Sequence, residues 1–269
     1  MIDVIKQQFT PQMDQTRKTH LTREMLQIIC LKIMNEKKMF ERAAFLGGTA
    51  LRVLYDIRRF SEDLDFSTTG AARFQQDPLK KALTQGFQKY GFTVETTSKN
   101  TGAVLSVLIK FQGLLKELGL SGLSSQKLSI KWDIDQNPPE GAATSNTIIN
   151  KYFMFNVTHY DLASLFAGKL HACFFRTYIK GRDWYDLLWF ITRKVTPNFA
   201  LLNNAIEQTQ NKRLAIDETN FKEFMLERIQ HVDFDLVKKD VERFLEDKGS
   251  LEALNGKFIT DTIRQSVGK

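Results

Sequence analysis

Residues 45–66 read FLGGTALRVLYDIRRFSEDLDF, and the order of residue types predicts a strand, a tight turn, a helix and a second short strand. Phe45 and Leu46 are apolar, Gly47 and Gly48 leave the backbone bare, and Thr49 is placed to cap a short amphipathic run. Backbone N–H groups at such a turn can meet the oxygens of a polyphosphate, because no side chain shields them and the helix dipole favours negative charge. Further on, Asp63-Leu64-Asp65-Phe66 alternates polar and apolar, which puts Asp63 and Asp65 on one face of a strand. Adjacent carboxylates repel unless something offsets them, and a divalent cation does so most simply. Mg²⁺ held by carboxylates and substrate phosphates is the natural occupant. A strand edge whose acids merely face solvent would share the D-x-D pattern, but not the glycine pair upstream with Arg58, Arg59 and Ser61 between.

The run GGTALRVLYDIRRFSEDLDF resembles the first motif of the AbiEii (AbiEii/AbiGii-type) nucleotidyltransferase toxins, the toxin half of type IV toxin–antitoxin systems. That motif is a glycine pair, a small residue and, after a helix, Ser-x-Asp-x-Asp, which places Ser61, Asp63 and Asp65 in it. The resemblance implies a DNA polymerase β-like nucleotidyltransferase core. It also implies that Asp63 and Asp65 bind Mg²⁺ for attack on the α-phosphorus of a nucleoside triphosphate.

Composition sets the outer bounds. The 269 residues can bury a full core without disulfides or metals, and 42% hydrophobic with 26% charged residues is ordinary for a globular protein. A net charge of +7 favours a polyanionic partner such as RNA or nucleotides. Cys30 and Cys173 lie in apolar helical contexts without metal-ligand spacing, as expected of buried thiols in a reducing compartment. No apolar run is long enough to cross a bilayer, and the first 15 residues lack the apolar centre of a signal peptide. The expectation is a cytoplasmic protein. His20, His159, His171 and His231 form no ligand set, which argues against zinc.

Along the chain, residues 1–20 are polar and broken by Pro11, and a core helix is predicted from a Thr22 cap to about Lys38. Asp77-Pro78 opens a helix that Gly91 ends, and residues 92–96 and 103–111 read as a hairpin. Residues 113–125 are ambiguous. The segment KLSIKWDID, residues 127–135, is a strand with Leu128, Ile130, Trp132 and Ile134 on one face and Lys131, Asp133 and Asp135 on the other. A nucleotidyltransferase of this fold usually brings a third carboxylate from a neighbouring strand. Asp133 is the central candidate, with Lys131 beside it to meet phosphate and Asp135 in reserve. A solvated strand face gives the same pattern. Asn137-Pro138-Pro139-Glu140-Gly141 breaks the chain, the polar stretch to Asn150 reads as a surface loop, and residues 152–157 as a short strand.

From Thr158 the composition turns helical, which sets a boundary near residue 157 between a nucleotidyltransferase core, 1–157, and a helical C-terminal region, 158–269. The predicted class is α/β (α+β), a mixed-sheet core with flanking helices. Residues 160–193 read as two helices hinged at Lys180-Gly181. On the first, Lys169, Cys173 and Arg176 share one face; on the second, Asp183 and Asp186 lie one turn apart. Acids in a first turn are ordinary dipole partners. The pattern K-L-H-A-x-x-x-R followed by R-D-x-x-D-L nonetheless resembles later motifs of the same toxin family, in which a lysine and an aspartate complete the nucleotide site. Carried over, Lys169 contacts phosphate or nucleotide, and either Asp183 or Asp186 is the motif aspartate, Asp183 being favoured at its helix start. His171 points away from Lys169 and reads as a packing or surface residue. Amphipathic helices are predicted over 199–208, 220–228, 234–245 and 259–265.

Together these point to an Mg²⁺-dependent nucleotidyltransferase. Asp63, Asp65 and Asp133 would hold the metal, Gly47, Gly48 and Thr49 would cradle phosphates, and Lys169 with Arg176 would neutralise the leaving pyrophosphate. The family resemblance suggests an RNA acceptor such as tRNA, or a protein, and a separately encoded antitoxin. An enzyme adenylylating a small aminoglycoside is the first alternative, disfavoured because a cationic drug wants an acidic pocket. A non-catalytic RNA-binding module on the same fold is the second, and it has no need of paired metal ligands.

Overall fold

The computed structural model of the protein describes residues 1–71 and 73–267, and its elements follow the apolar periodicity of the chain. The first half comprises α1 (Ile2–Lys6), α2 (Gln15–Glu36), β1 (Ala43–Leu46), α3 (Gly47–Tyr55), β2 (Leu64–Thr68), α4 (Gln76–Lys89), β3 (Val94–Asn100), β4 (Val104–Phe111), α5 (Leu114–Glu117) and β5 (Leu128–Asp135). Then come β6 (Thr144–Asn150), β7 (Met154–Tyr160), α6 (Leu162–Phe175), α7 (Gly181–Thr192), α8 (Phe199–Gln210), α9 (Phe221–Ile229), α10 (Phe234–Val241) and α11 (Gly256–Ser266). They form two compact units, one of residues 1–50, 60–137 and 146–159, the other of 51–59, 138–145 and 160 onward. The first unit thus takes in residues up to 159, and two earlier segments, 51–59 and 138–145, pack with the C-terminal helices.

The strands make one seven-stranded mixed sheet in the order β3-β4-β5-β2-β1-β7-β6. β2 runs antiparallel to β1 and parallel to β5, and β3, β4 and β5 form an antiparallel meander. Alternation decides which face is buried. Phe66 stacks on Trp132 with ring centroids 5.0 Å apart and meets Phe45 at 5.4 Å, while the Trp132 indole N–H donates to Met34 Sδ at 3.2 Å from α2. With those side chains turned into the core, the residues between them must project from the opposite face.

Several predicted boundaries move. α2 starts at Gln15, seven residues ahead of the expected Thr22 cap, because the Asp14 carboxylate accepts from the Arg17 N–H at 2.7 Å. Thr22 sits mid-helix with its hydroxyl bonded to the Lys18 carbonyl. The N-terminal stretch is not idle, since Ile5 of α1 is buried. α3 begins at Gly47, so Thr49 lies inside its first turn rather than capping it. The stretch taken for a surface loop contains β6, an edge strand whose side chains other than Ile149 are exposed and which therefore shows no apolar alternation.

In the second unit α6 packs against α7 and α8, and α7 against α10 and α11. Phe166 stacks on Phe190 at 4.5 Å, and Trp184 meets Phe174 at 5.6 Å and Phe234 at 5.8 Å. Segment 51–59 is tied in by Arg52, which donates to the Ile57 carbonyl at 3.0 Å and pairs with Glu246 at 2.7 Å. Segment 138–145 is tied in by Asn198, which donates to the Gly141 carbonyl at 2.8 Å. The linker between α6 and α7 ends at Gly181, where any Cβ would overlap the Val237 carbonyl of α10.

Candidate active site

In the first unit the glycine turn and the acids meet. Gly47 has φ +80°, which L side chains rarely adopt, and a Cβ there would overlap Asp65 Oδ2. Glycine is thus required twice, by the turn and by the carboxylate packed against it. Leu46 pairs with Asp65 across β1 and β2, and Asp65 in turn lies in register with Asp133 on β5. Asp65 and Asp133 therefore project side by side, on the face away from Phe66 and Trp132.

Lys131 Nζ donates to Asp133 Oδ2. Burial works to lower the Lys131 pKa, but the hydrogen bond and charge of Asp133, with the charges of Asp63 and Asp65, outweigh it and hold the ammonium above its ordinary value. The other oxygen, Asp133 Oδ1, is buried without a hydrogen-bond partner, an arrangement that costs free energy unless something else meets it. Asp135 plays another part: it accepts from the Asn137 N–H at 2.8 Å, and burial raises its carboxyl above the usual carboxylate range against that bond. The Thr49 hydroxyl is buried and donates to the Asp63 carbonyl, so it fixes the main chain beside the acids. The Ser61 carbonyl accepts from Gln27 Nε2 at 3.2 Å.

Among the described residues no three carboxylate, histidine or cysteine side chains are already gathered as a ligand set. The donors nevertheless suit a hard divalent cation: β2 and β5 supply Asp65 and Asp133, Asp63 comes from the irregular residue just before β2 rather than from the strand face expected of it, and one buried carboxylate oxygen of Asp133 awaits a partner.

The second unit holds the other predicted residues in one ion network. Lys169 of α6 reaches both Asp183 and Asp186 of α7, each at 2.8 Å. Arg176 pairs with Asp183 at 2.5 Å, and Arg59 grips Asp186 through Nε at 2.7 Å and Nη2 at 2.5 Å. Arg59 is 1% and Asp186 0% exposed, so this bidentate pair is fully enclosed. Burial works against the charge of Lys169, yet Asp183 and Asp186 more than compensate and keep its pKa above the ordinary value. Burial likewise opposes the Asp183 carboxylate, and Lys169 and Arg176 overcome it, bringing the pKa down to about 2. Of the two acids Asp183 is the less enclosed, since its partner Arg176 is 29% exposed. His171 shares a hydrogen bond with Thr209 at 2.8 Å and stacks on Phe175. Cys30 and Cys173 are free thiols.

Arg59 is the residue that sequence reasoning passed over. In the sequence it lies between the glycines and the acids, next to a second arginine, Arg58.

The AbiEii family model, described as nucleotidyl transferase AbiEii toxin, type IV TA system, matches residues 30–257, which contain both clusters. The chain belongs to the AbiEii toxin family. This AbiEii member is accordingly a nucleotidyltransferase, and its family implies a nucleotide substrate and an antitoxin partner. A crystal structure from H. pylori assigned as a nucleotidyltransferase shares the fold at 17% identity and a TM-score of 0.53, covering 91% of this chain and 96% of that one. The crystal structure of JHP933 from Helicobacter pylori aligns at 17% identity and a TM-score of 0.48, covering 91% and 94%. No curated protein matches significantly. Among the described residues no helix is long and apolar enough to cross a membrane.

Proposed function

We propose that this AbiEii chain uses Mg²⁺ to transfer a nucleotide from a nucleoside triphosphate to a hydroxyl of an RNA such as tRNA, and that a separately encoded antitoxin restrains it. The observation that carries this is Asp65, set against the bare Gly47 turn and in register with Asp133, whose Oδ1 is buried and unpartnered. Asp63, Asp65 and Asp133 would hold the metal, which when bound supplies the positive charge that offsets triphosphate repulsion during in-line transfer. The N–H groups of Gly47 and Gly48 begin a helix and suit phosphate oxygens. Thr49 supports that turn through its bond to the Asp63 carbonyl, and Ser61 and Lys131 flank the acids. Lys169 and the more exposed Arg176 would meet phosphate, with Asp183 as the motif aspartate that orients both and the enclosed Asp186–Arg59 pair holding Lys169 in place. The net charge of +7 supports a nucleic-acid acceptor.

The test is to incubate the protein with each labelled triphosphate, Mg²⁺ and total RNA, beside Asp63→Ala. Label appearing in tRNA only with the intact acid supports the proposal. Label moving solely to a hydroxyl of an aminoglycoside added beside the RNA would transfer the assignment to a small-molecule enzyme, and no Asp63-dependent label in any acceptor would refute it. Overproduction without antitoxin is expected to arrest growth in an Asp63-dependent way; unaltered growth counts against the toxin role.

A further inference from the structure

We infer that one stripe of α2 is a positioning element for Asp63, a device that rests on the metal-holding role proposed above. Residues 60–63 lie between α3 and β2, outside any helix or strand. Each of the four is held by a different side chain. The His20 ring stacks on Phe60, with centroids 4.7 Å apart and planes within 6°. Gln27 Nε2 donates to the Ser61 carbonyl at 3.2 Å, and Arg23 Nη1 lies 3.5 Å from the Glu62 carboxylate. Thr49 Oγ1 donates to the Asp63 carbonyl.

His20, Arg23 and Gln27 stand at i, i+3 and i+7, which is one stripe along a helix. Gln27 is 1% exposed, so its amide has little water to turn to in place of the Ser61 carbonyl. The neighbouring Glu24, 3% exposed, is closed off by Lys151. α2 itself is anchored in the core by Leu26, Ile28, Ile29 and Ile33. A stiff, buried helix thereby sets the path of a short irregular segment whose last residue bears a proposed metal ligand. The stripe precedes residue 30, where the family match begins, and so stands outside the motifs that identify the family.

The protein is compared with Gln27→Leu, which keeps bulk and removes the donor, and with Arg23→Gln as a milder second variant. Mn²⁺ binding is measured by calorimetry, amide hydrogen exchange is followed over residues 61–66, and the unfolding midpoint reports whether each variant folds. Gln27→Leu is expected to weaken Mn²⁺ about tenfold, the low end for residues that orient metal ligands. Arg23→Gln should have a smaller effect, and exchange should rise at residues 61–66 in both while α6 and α7 stay as in the parent. Parent-like Mn²⁺ affinity and exchange in the folded variants would overturn the inference. Asp63→Asn is the control that separates the two levels. If it binds Mn²⁺ as the parent does, the metal-holding role fails, and exchange over 61–66 alone decides whether the stripe positions the segment.

Discussion

In the second unit each of Asp183 and Asp186 is met by two cations, drawn from Lys169, Arg176 and Arg59, whereas in the first unit Asp133 has Lys131 on one oxygen and a buried, unpartnered second oxygen beside Asp65. Both clusters gather two or three aspartates beside basic residues, and composition alone would not separate them. The difference lies in how completely the charge is answered. A closed ion network holds helices in place, because removing a carboxylate such as Asp186 strands a fully enclosed arginine. An acid cluster with an open oxygen stores repulsion that an incoming cation relieves.

The sharpest way to break this contrast is to neutralise one acid in each cluster. Asp63→Ala or Asp65→Asn is expected to cost three to four orders of magnitude in nucleotide transfer, equivalent to roughly 4–5 kcal/mol of barrier. Its unfolding midpoint should stay level or rise, since a repulsion has been removed. Asp186→Ala should do the reverse on stability, lowering it by about 3–5 kcal/mol because Arg59 is stranded without its carboxylate. Denaturant titration of the two variants side by side checks both, and similar stability losses would erase the distinction.

Gly47→Ala tests the open cluster at its tightest point. The positive φ alone costs about 1–2 kcal/mol, and the Cβ must also displace the Asp65 carboxylate, so activity should fall further than stability does.

The closed network can be sharpened by pH. Asp183 titrates near 2 in the folded protein against about 4 in an unfolded chain, so on acidification the unfolded state takes up the proton first. Its contribution is complete above pH ~4 and is lost as pH falls towards ~2. The stability gap between the parent and Asp183→Asn should therefore begin to close below pH ~4, and a gap independent of pH would contradict the depressed value.

Where the chain alternates or carries caps, the fold was legible. β5 announced itself through period-two alternation, the β3–β4 hairpin as the pair of stretches 92–96 and 103–111, although β3 runs on to Asn100, and α6 and α7 as two helices hinged at Lys180-Gly181. β6 was hidden because an edge strand in solvent buries almost nothing and so has no pattern to read. The start of α2 was hidden because Asp14 caps it in a polar stretch where Thr22 looked equally able. For the candidate site, the acids stood out by spacing, but their supports did not. Gln27, Arg23 and His20 are separated from Ser61 by more than thirty residues, and only the packed structure shows that they touch the segment leading to Asp63. Arg59 was missed for a related reason, since nothing local distinguishes an arginine whose carboxylate lies 127 residues further on.

β6 also bears on how the protein behaves in the tube. Its sequence TSNTIIN has neither charge nor proline, while the opposite margin, β3, carries Glu95 and Lys99. Ile148 and the nearby Met154 are 64% and 71% exposed. Unguarded margins of this kind adhere to one another, so concentrated stocks should scatter light increasingly with time, and Ile148→Lys should keep them clear without altering turnover.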